Sequence, residues 1–251
     1  MKSHVTRILK NPRSIVFIII ISIIPFIDLL QNIFSGMDFF PAYGAFLAGS
    51  SKGHISQILL TWFLPIYLLM ICADDYIQDY KTGYNHILIT KIGKKKYVKE
   101  KLTTSFIFVF ITMLIILLLN YILSIIFFYE GTFAFGVRPE SFIGNWLGYY
   151  SRLYPNITYI LYIINFSILA GFTAALGSAS ALIFPDYKFT YPLVFFIWFM
   201  QISGRNNAAL IMQPFTETSF NQFIWIWIKL LTTALAVIIF SYVFKVKTDE
   251  L

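Results

Sequence analysis

Few side chains in this 251-residue sequence could do acid–base, metal or nucleophilic chemistry, and fewer still have the spacing such chemistry needs. His4, His54 and His86 lie too far apart along the chain to suggest a metal-ligand set, and the single cysteine, Cys72, excludes an internal disulfide. No His-Glu-x-x-His helix, Gly-x-Ser-x-Gly elbow or Gly-x-x-x-x-Gly-Lys-Ser/Thr phosphate loop occurs, since Gly93-Lys94-Lys95 lacks both the preceding glycine and the following hydroxyl. No catalytic residue and no metal is therefore assigned, and any ATP would have to be bound by another chain. Within the long apolar runs the polar residues of note are Asp28, Lys229, Asn120 and Asn165, and amides do no acid–base chemistry. Asp28 and Lys229 each lie about six residues from the same end of their runs, hence at similar depth. An unpaired charge at mid-bilayer costs on the order of 3 kcal/mol, which favours an Asp28–Lys229 ion pair. In the alternative, Lys229 snorkels outward and Asp28 faces water.

The elements that would position these residues follow from composition. Hydrophobic residues make up 58% of the chain and charged residues 12%, about half the charge of a soluble domain. The apolar residues gather into runs without the period-2 alternation of barrel strands, so each run must satisfy its own backbone as a helix in lipid. Six spans are expected, at about 15–33, 55–73, 102–128, 157–184, 187–203 and 223–244. Fourteen Lys and Arg residues fall on the side of the two termini and four on the other, including Arg138, Arg152 and Arg205, which places both termini in the cytoplasm. The net charge of +7 sits beside the spans, so a membrane surface and not nucleic acid is the expected partner. The first run is too long for a cleavable signal peptide, lacks a small-residue cleavage site and carries Asp28.

Several stretches carry finer expectations. After Pro139, the rings of Phe142, Trp146, Tyr149 and Tyr150 recur at helical spacing, as in an interfacial helix that either anchors the chain or forms a lip for an amphipathic substrate. The stretch 204–222 has few charges and is expected to dip back into the membrane. Pro25, Pro65 and Pro192 permit kinks, and the small residues from Gly171 to Ala181 permit close helix contact. The loop 74–101 begins acidic with Asp74, Asp75 and Asp79 and ends basic. Between Gly83 and Gly93, the spacing of Tyr84, Ile87 and Leu88 predicts a short amphipathic helix.

On these features the chain resembles the permease subunits of type 2 ATP-binding-cassette (ABC) exporters. The likeness begins with Val5, Ile8 and Leu9 on one side of an N-terminal helix at 3–12, leading through Lys10-Asn11-Pro12-Arg13 into a span with Pro25. It continues through Asp79, Gly83, Leu88, Thr90, Lys94, Lys95, Tyr97 and Lys101 in order, and through the pattern of gaps around six spans. The fold implied is an all-α polytopic membrane protein with six transmembrane helices, an amphipathic elbow helix and an intracellular coupling helix. The resemblance implies two permease subunits, identical or homologous, above two ABC ATP-binding subunits that bind ATP and Mg. The short helix would dock on the ATPase through Tyr84, Ile87 and Leu88, with Asp75 and Asp79 positioning the loop. Lysines stand here where arginine is usual in the basic turn, and lysine makes no bidentate contact. A Phe-, Ile- and Leu-rich bundle suits a hydrophobic or amphipathic cargo, with antimicrobial or toxic peptide favoured, exported across a bacterial plasma membrane. The rival readings are a non-transporting immunity or sensor protein and an intramembrane enzyme.

Overall fold

Long apolar runs bounded by proline, glycine and charge become long helices. In the computed structural model, which describes residues 2–135, 139–142, 144–204 and 206–248, five helices are long and apolar enough to cross a membrane. Arg138 and Arg205 lie outside the described residues, as does the side chain of Lys2. Twelve α-helices are described: α1 (Lys2–Lys10), α2 (Pro12–Phe34), α3 (Pro41–Gly44), α4 (Ile55–Cys72), α5 (Asp74–Thr82), α6 (Tyr84–Ile92), α7 (Lys94–Phe127), α8 (Trp146–Leu153), α9 (Pro155–Ile183), α10 (Tyr187–Ile202), α11 (Ala209–Met212) and α12 (Phe220–Thr248). The long apolar ones are α2, α4, α7, α9 and α12, which makes this a multi-pass membrane protein. At 16 residues α10 is shorter than the length that spans a bilayer unaided. Among the described residues the only β pairing is an isolated bridge between Phe39 and Phe133.

Local chemistry sets the boundaries. Asn11 caps α2 by accepting from the Arg13 amide at 3.1 Å, and Pro12 follows where a missing N–H costs nothing. Gly83 and Gly93 separate α5, α6 and α7 because their φ values of +72° and +81° are open to glycine and costly for other residues. The lysine-rich stretch after Gly93 was expected to be loop up to residue 101. It is instead the first turns of α7, a 34-residue helix that runs unbroken into the apolar segment.

The core is built around α9. Its small residues let neighbours approach: a Cβ added at Gly171 would lie 3.0 Å from the Phe106 ring on α7, and one at Gly177 would lie 3.0 Å from Leu69 on α4. Ser105 and Ser178 share a hydrogen bond of 2.7 Å across the α7–α9 contact. On the far side, Trp198 of α10 donates its indole N–H to the Thr61 carbonyl of α4 at 2.9 Å.

At one end of the bundle, two stretches of irregular backbone are folded inward. Residues Pro41 to Leu47 are all buried, and side chains from the long helices satisfy their backbone groups. The Asn120 amide accepts from the Phe46 N–H at 3.1 Å and donates to the Pro25 carbonyl at 2.8 Å, and the Tyr159 hydroxyl accepts from the Leu47 N–H at 3.0 Å. Asn32 donates to the Gly44 carbonyl at 2.9 Å, Ser124 to the Pro41 carbonyl at 2.7 Å and Gln57 to the Leu47 carbonyl at 2.9 Å. Asn120 and Tyr159 sit seven and four residues inside the ends of α7 and α9, so this segment lies about 6–10 Å below them. The second stretch joins α10 to α12 through α11, held by Asn165 donating to the Ile211 carbonyl and by Arg152 donating to the Phe215 carbonyl at 2.6 Å. The two stretches meet where Gln213 donates to Gln57 at 2.8 Å and Tyr43 stacks on Phe215 at 4.2 Å between centroids. Asn120 thus bonds two backbone groups, while Asn165 bonds the Ile211 carbonyl and accepts from the Trp227 indole at 2.9 Å.

Candidate functional site

The opposite end of the bundle carries the acidic residues singled out from sequence, and each takes a cation from a different element. A helix N-terminus attracts carboxylates, and Asp74 and Asp75 open α5. Asp74 faces Arg13 of α2 at 3.5 Å and accepts from Gln78 at 2.7 Å. Asp75 pairs with Lys101 of α7, and Asp79 receives both terminal nitrogens of Arg7 of α1. The aromatic surround is dense. Tyr97 lies 5.6 Å from the His4 ring and 6.3 Å from Tyr76, while the Arg7 guanidinium sits 5.5 Å over Tyr84. Lys81 at the end of α5 reaches Asp186, just ahead of α10, at 3.5 Å, and Lys245 near the end of α12 lies 5.6 Å over Tyr80. Both terminal helices therefore reach the same end of the molecule.

Burial governs the protonation of this network. Burial pushes Asp79 up from the ordinary carboxylate value, and the hydrogen bond and charge of Arg7 oppose that without overcoming it. For Arg7, burial alone would lower the pKa, but Asp79 raises it above the ordinary value. The two shifts point opposite ways for the worth of the pair. The two-pronged contact with a guanidinium that is 27% exposed supports a charged pair with one wetted partner. His4 is 4% exposed, and burial, aided by the Lys101 charge, drops its pKa to about 4, so it is neutral at pH 7.

The nine residues expected at a coupling surface divide into two groups. Tyr84 and Ile87 are exposed at 44% and 61%, Thr90 is exposed with its hydroxyl donating to the Ile87 carbonyl at 3.0 Å, and Gly83 bounds the helix. Leu88 turns inward with Ile89 and Ile92 against the core that includes Tyr76, Tyr97 and Leu182. Asp75, Asp79, Tyr97 and Lys101 are all buried, so they fasten α5 and α6 to the bundle and present nothing to a second chain. The helical face expected to hold Tyr84, Ile87 and Leu88 together is thus split, because packing claims Leu88. Sequence reasoning passed over His4, Arg7 and Arg13 as members of this site. The signal available was their charge beside the first span, with His4 and Arg7 on α1 and Arg13 at the start of α2.

The Asp28–Lys229 ion pair is not formed. Asp28 is fully buried and accepts from the Ser51 hydroxyl, while Lys229 donates to the Met200 carbonyl at 3.4 Å. The backbone that follows the buried 41–47 segment places the buried Ser51 against Asp28, the position a cation was expected to take. Among the described residues no group of three His, Cys, Asp or Glu side chains is placed to hold a metal ion.

Over 221 residues, 88% of this chain and 88% of the relative, the sequence is 46% identical to a protein of Bacillus subtilis (strain 168) described as "Uncharacterized protein YybM". The chain belongs to the YybM family. No protein-family model matches it, and no solved structure matches it. For this member of the YybM family the site rests on its own geometry: a short, partly apolar helix, α6, follows α5, which three ion pairs tie to α1, α2 and α7.

Proposed function

We propose that this protein is the membrane-spanning permease subunit of an ATP-driven ABC exporter, with α6 as the coupling helix that receives the stroke of a separate ATP-binding subunit. The observation that carries this reading is Ile87. It is an isoleucine 61% exposed on a nine-residue helix, beside the exposed Tyr84, on an element whose other aliphatic residues Leu88, Ile89 and Ile92 are packed inward. Together Tyr84 and Ile87 offer the apolar anchors that a groove on a partner chain would take.

In this reading α1 is the elbow helix lying at the membrane surface, and α10 is the sixth crossing. Five crossings would put the ends of the chain on opposite sides, whereas α1 and α12 both contact α5, and α10 starts beside Lys81 and reaches Thr61 and Thr233 deep in the bundle. The basic end is cytoplasmic by the positive-inside rule. Two ATPase subunits with ATP and Mg serve two permease subunits, identical or homologous, in the plasma membrane. Closure of the ATPase pair moves α6, the ion pairs of α5 carry that motion to α1, α2 and α7, and a path opens for a hydrophobic or amphipathic cargo, with peptide favoured.

Purification of the tagged protein in gentle detergent tests this. The expected result is co-purification of an ATP-binding chain, lost in Ile87→Asp while the permease remains folded and inserted. Retention of that chain by Ile87→Asp at full transport rate, or its absence from the wild-type preparation, overturns the reading.

A further inference from the structure

At the end remote from the acidic helix, two cavities of about 720 Å³ and 240 Å³ flank one side chain, Arg152 of α8. Its guanidinium is fixed by neutral groups. One terminal nitrogen donates to the Gly148 carbonyl at 3.1 Å, the other to the Phe215 carbonyl at 2.6 Å, and the Phe142 ring lies 3.6 Å from the central carbon. Among the described residues no carboxylate lies within ion-pair distance of it; Glu217 acts only through its field. Burial draws the Arg152 pKa below its ordinary value, and among the described residues no side chain forms an ion pair with it. A guanidinium has five N–H donors, and two are used, so the others remain for a ligand in a rigid fork suited to an oxyanion.

The walls say what else that ligand carries. The larger cavity is lined by Met37, Phe40, Tyr43, Phe133 and Pro155 and has a size that holds a small ligand, while Asp38 at its exposed rim is the one acid lining it. Phe135 and Phe215, on the smaller cavity, adopt positive φ values of +56° and +66°, a conformation that a bulky residue keeps only when its surroundings enforce it. Beside them α8 exposes Trp146, Tyr150 and Leu153, the side chains of a helix lying at a membrane interface. We infer that these cavities form a binding site for an amphipathic molecule, with its phosphate or carboxylate on Arg152 and its apolar portion along the Phe40–Tyr43–Phe133 wall. The site needs only the membrane placement of the chain and no ATP-binding partner, so it stands or falls separately from the export reading.

Native mass spectrometry of the full chain in detergent, titrated with phosphatidylglycerol, oleate or glycerol 3-phosphate, tests it. The wild type is expected to hold one phosphatidylglycerol or oleate, Arg152→Gln to weaken that binding about tenfold or more, and Arg152→Lys to fall between. Because Arg152 also ties down the Phe215 carbonyl and its loss could unfold the end of the bundle, Asp38→Asn is the second variant. Removal of that exposed negative charge is expected to tighten binding about twofold or more. Glycerol 3-phosphate, lacking a tail, is expected to bind at least about tenfold more weakly. Equal binding of glycerol 3-phosphate, binding by Arg152→Gln within twofold of wild type, or weaker binding by Asp38→Asn would each overturn the inference.

Discussion

Replacing Lys101 by methionine removes the ammonium that faces Asp75 and keeps most of the side-chain volume. The two side chains are 2% and 6% exposed, so neither charge is repaid by water once its partner has gone, and the Asp75 Oδ2 has no hydrogen-bond partner to begin with. Breaking a buried pair from one side typically costs about 3–5 kcal/mol. By contrast Arg7→Met, acting on a pair whose arginine is 27% exposed, should cost about 1–2 kcal/mol because water re-solvates part of the loss. The double variant Asp75→Asn/Lys101→Met deletes both charges, and it should recover most of the penalty and lie within about 2 kcal/mol of wild type. Unfolding in mixed micelles by added dodecyl sulfate, followed through the five tryptophans, measures all four proteins. A Lys101→Met protein within 1 kcal/mol of wild type, or a double variant no more stable than Lys101→Met, would refute the assignment of Lys101 as an internal strut. The competing role, direct contact with a partner chain, predicts an undamaged protein that has merely lost its partner.

Other consequences are open to the same assay. Asn120→Leu strands the buried Phe46 N–H and removes the second hydrogen bond of the Pro25 carbonyl, which lies within α2, and should cost about 1–3 kcal/mol, whereas an unchanged stability would mean that the 41–47 segment is held by other means. Gly131→Ala would place a Cβ 1.8 Å from the Phe39 carbonyl oxygen, and the backbone shift should cost about 1–3 kcal/mol, while Gly36→Ala, with open space around it, should cost about 1 kcal/mol through its φ of +69° alone. The depressed pKa of His4 means that the unfolded chain binds a proton the folded chain refuses between the ordinary value of 6.5 and about 4. Its contribution is therefore full above pH 6.5 and lost as pH falls toward 4, with the raised Asp79 acting in the opposite sense because the folded state holds that proton more tightly. His4→Gln should flatten the fall in stability across that window, and an unchanged slope would place the titration elsewhere.

Legibility in the sequence followed the range of the interaction. The long helices were visible because lipid solvation acts on every residue of a run, and α6 was visible because Gly83 and Gly93 act locally through φ. Close contact on α9 was legible in the small residues between Gly171 and Ala181, but that α7 and α4 make it was not. The cation partners of α5 were not visible, since Arg7 and Asp79 are 72 positions apart and nothing in either neighbourhood names the other. Nor was the buried segment from Pro41 to Leu47 foreseen. It has the apolar composition of a membrane segment but neither the length nor the period of one. What permits it is a set of Asn, Gln, Ser and Tyr side chains on four other helices, each unremarkable in its own context. The Asp28–Lys229 pairing failed for the same reason, because equal depth is a necessary condition for contact and says nothing of which faces of the two helices meet.

These arrangements give two helices a stake at both ends: α2, through Arg13 and Asn32, and α7. Lys101 belongs to the acidic network, Asn120 and Ser124 hold the inward-folded segment, and nineteen residues of continuous helix separate Lys101 from Asn120, about 28 Å. Among the described residues no proline interrupts this helix, unlike α2, α4 and α10, which carry Pro25, Pro65 and Pro192. A displacement imposed on α5 and α6 would therefore pass along α7 with little lost to bending. It would arrive where the bond from the Phe46 N–H to Asn120 measures 3.1 Å and has little length to spare before it ceases to be a hydrogen bond. The Ser105–Ser178 bond and the close fit of Gly171 on Phe106 oblige α9 to move with α7, and α9 carries Tyr159, the other anchor of that segment. Under the export reading the segment cannot stay fixed while α7 and α9 shift as a pair. The physical link between the exposed helix at one end and the cavities at the other is then the α7–α9 unit, with the prolines of α2, α4 and α10 marking the helices free to bend around it.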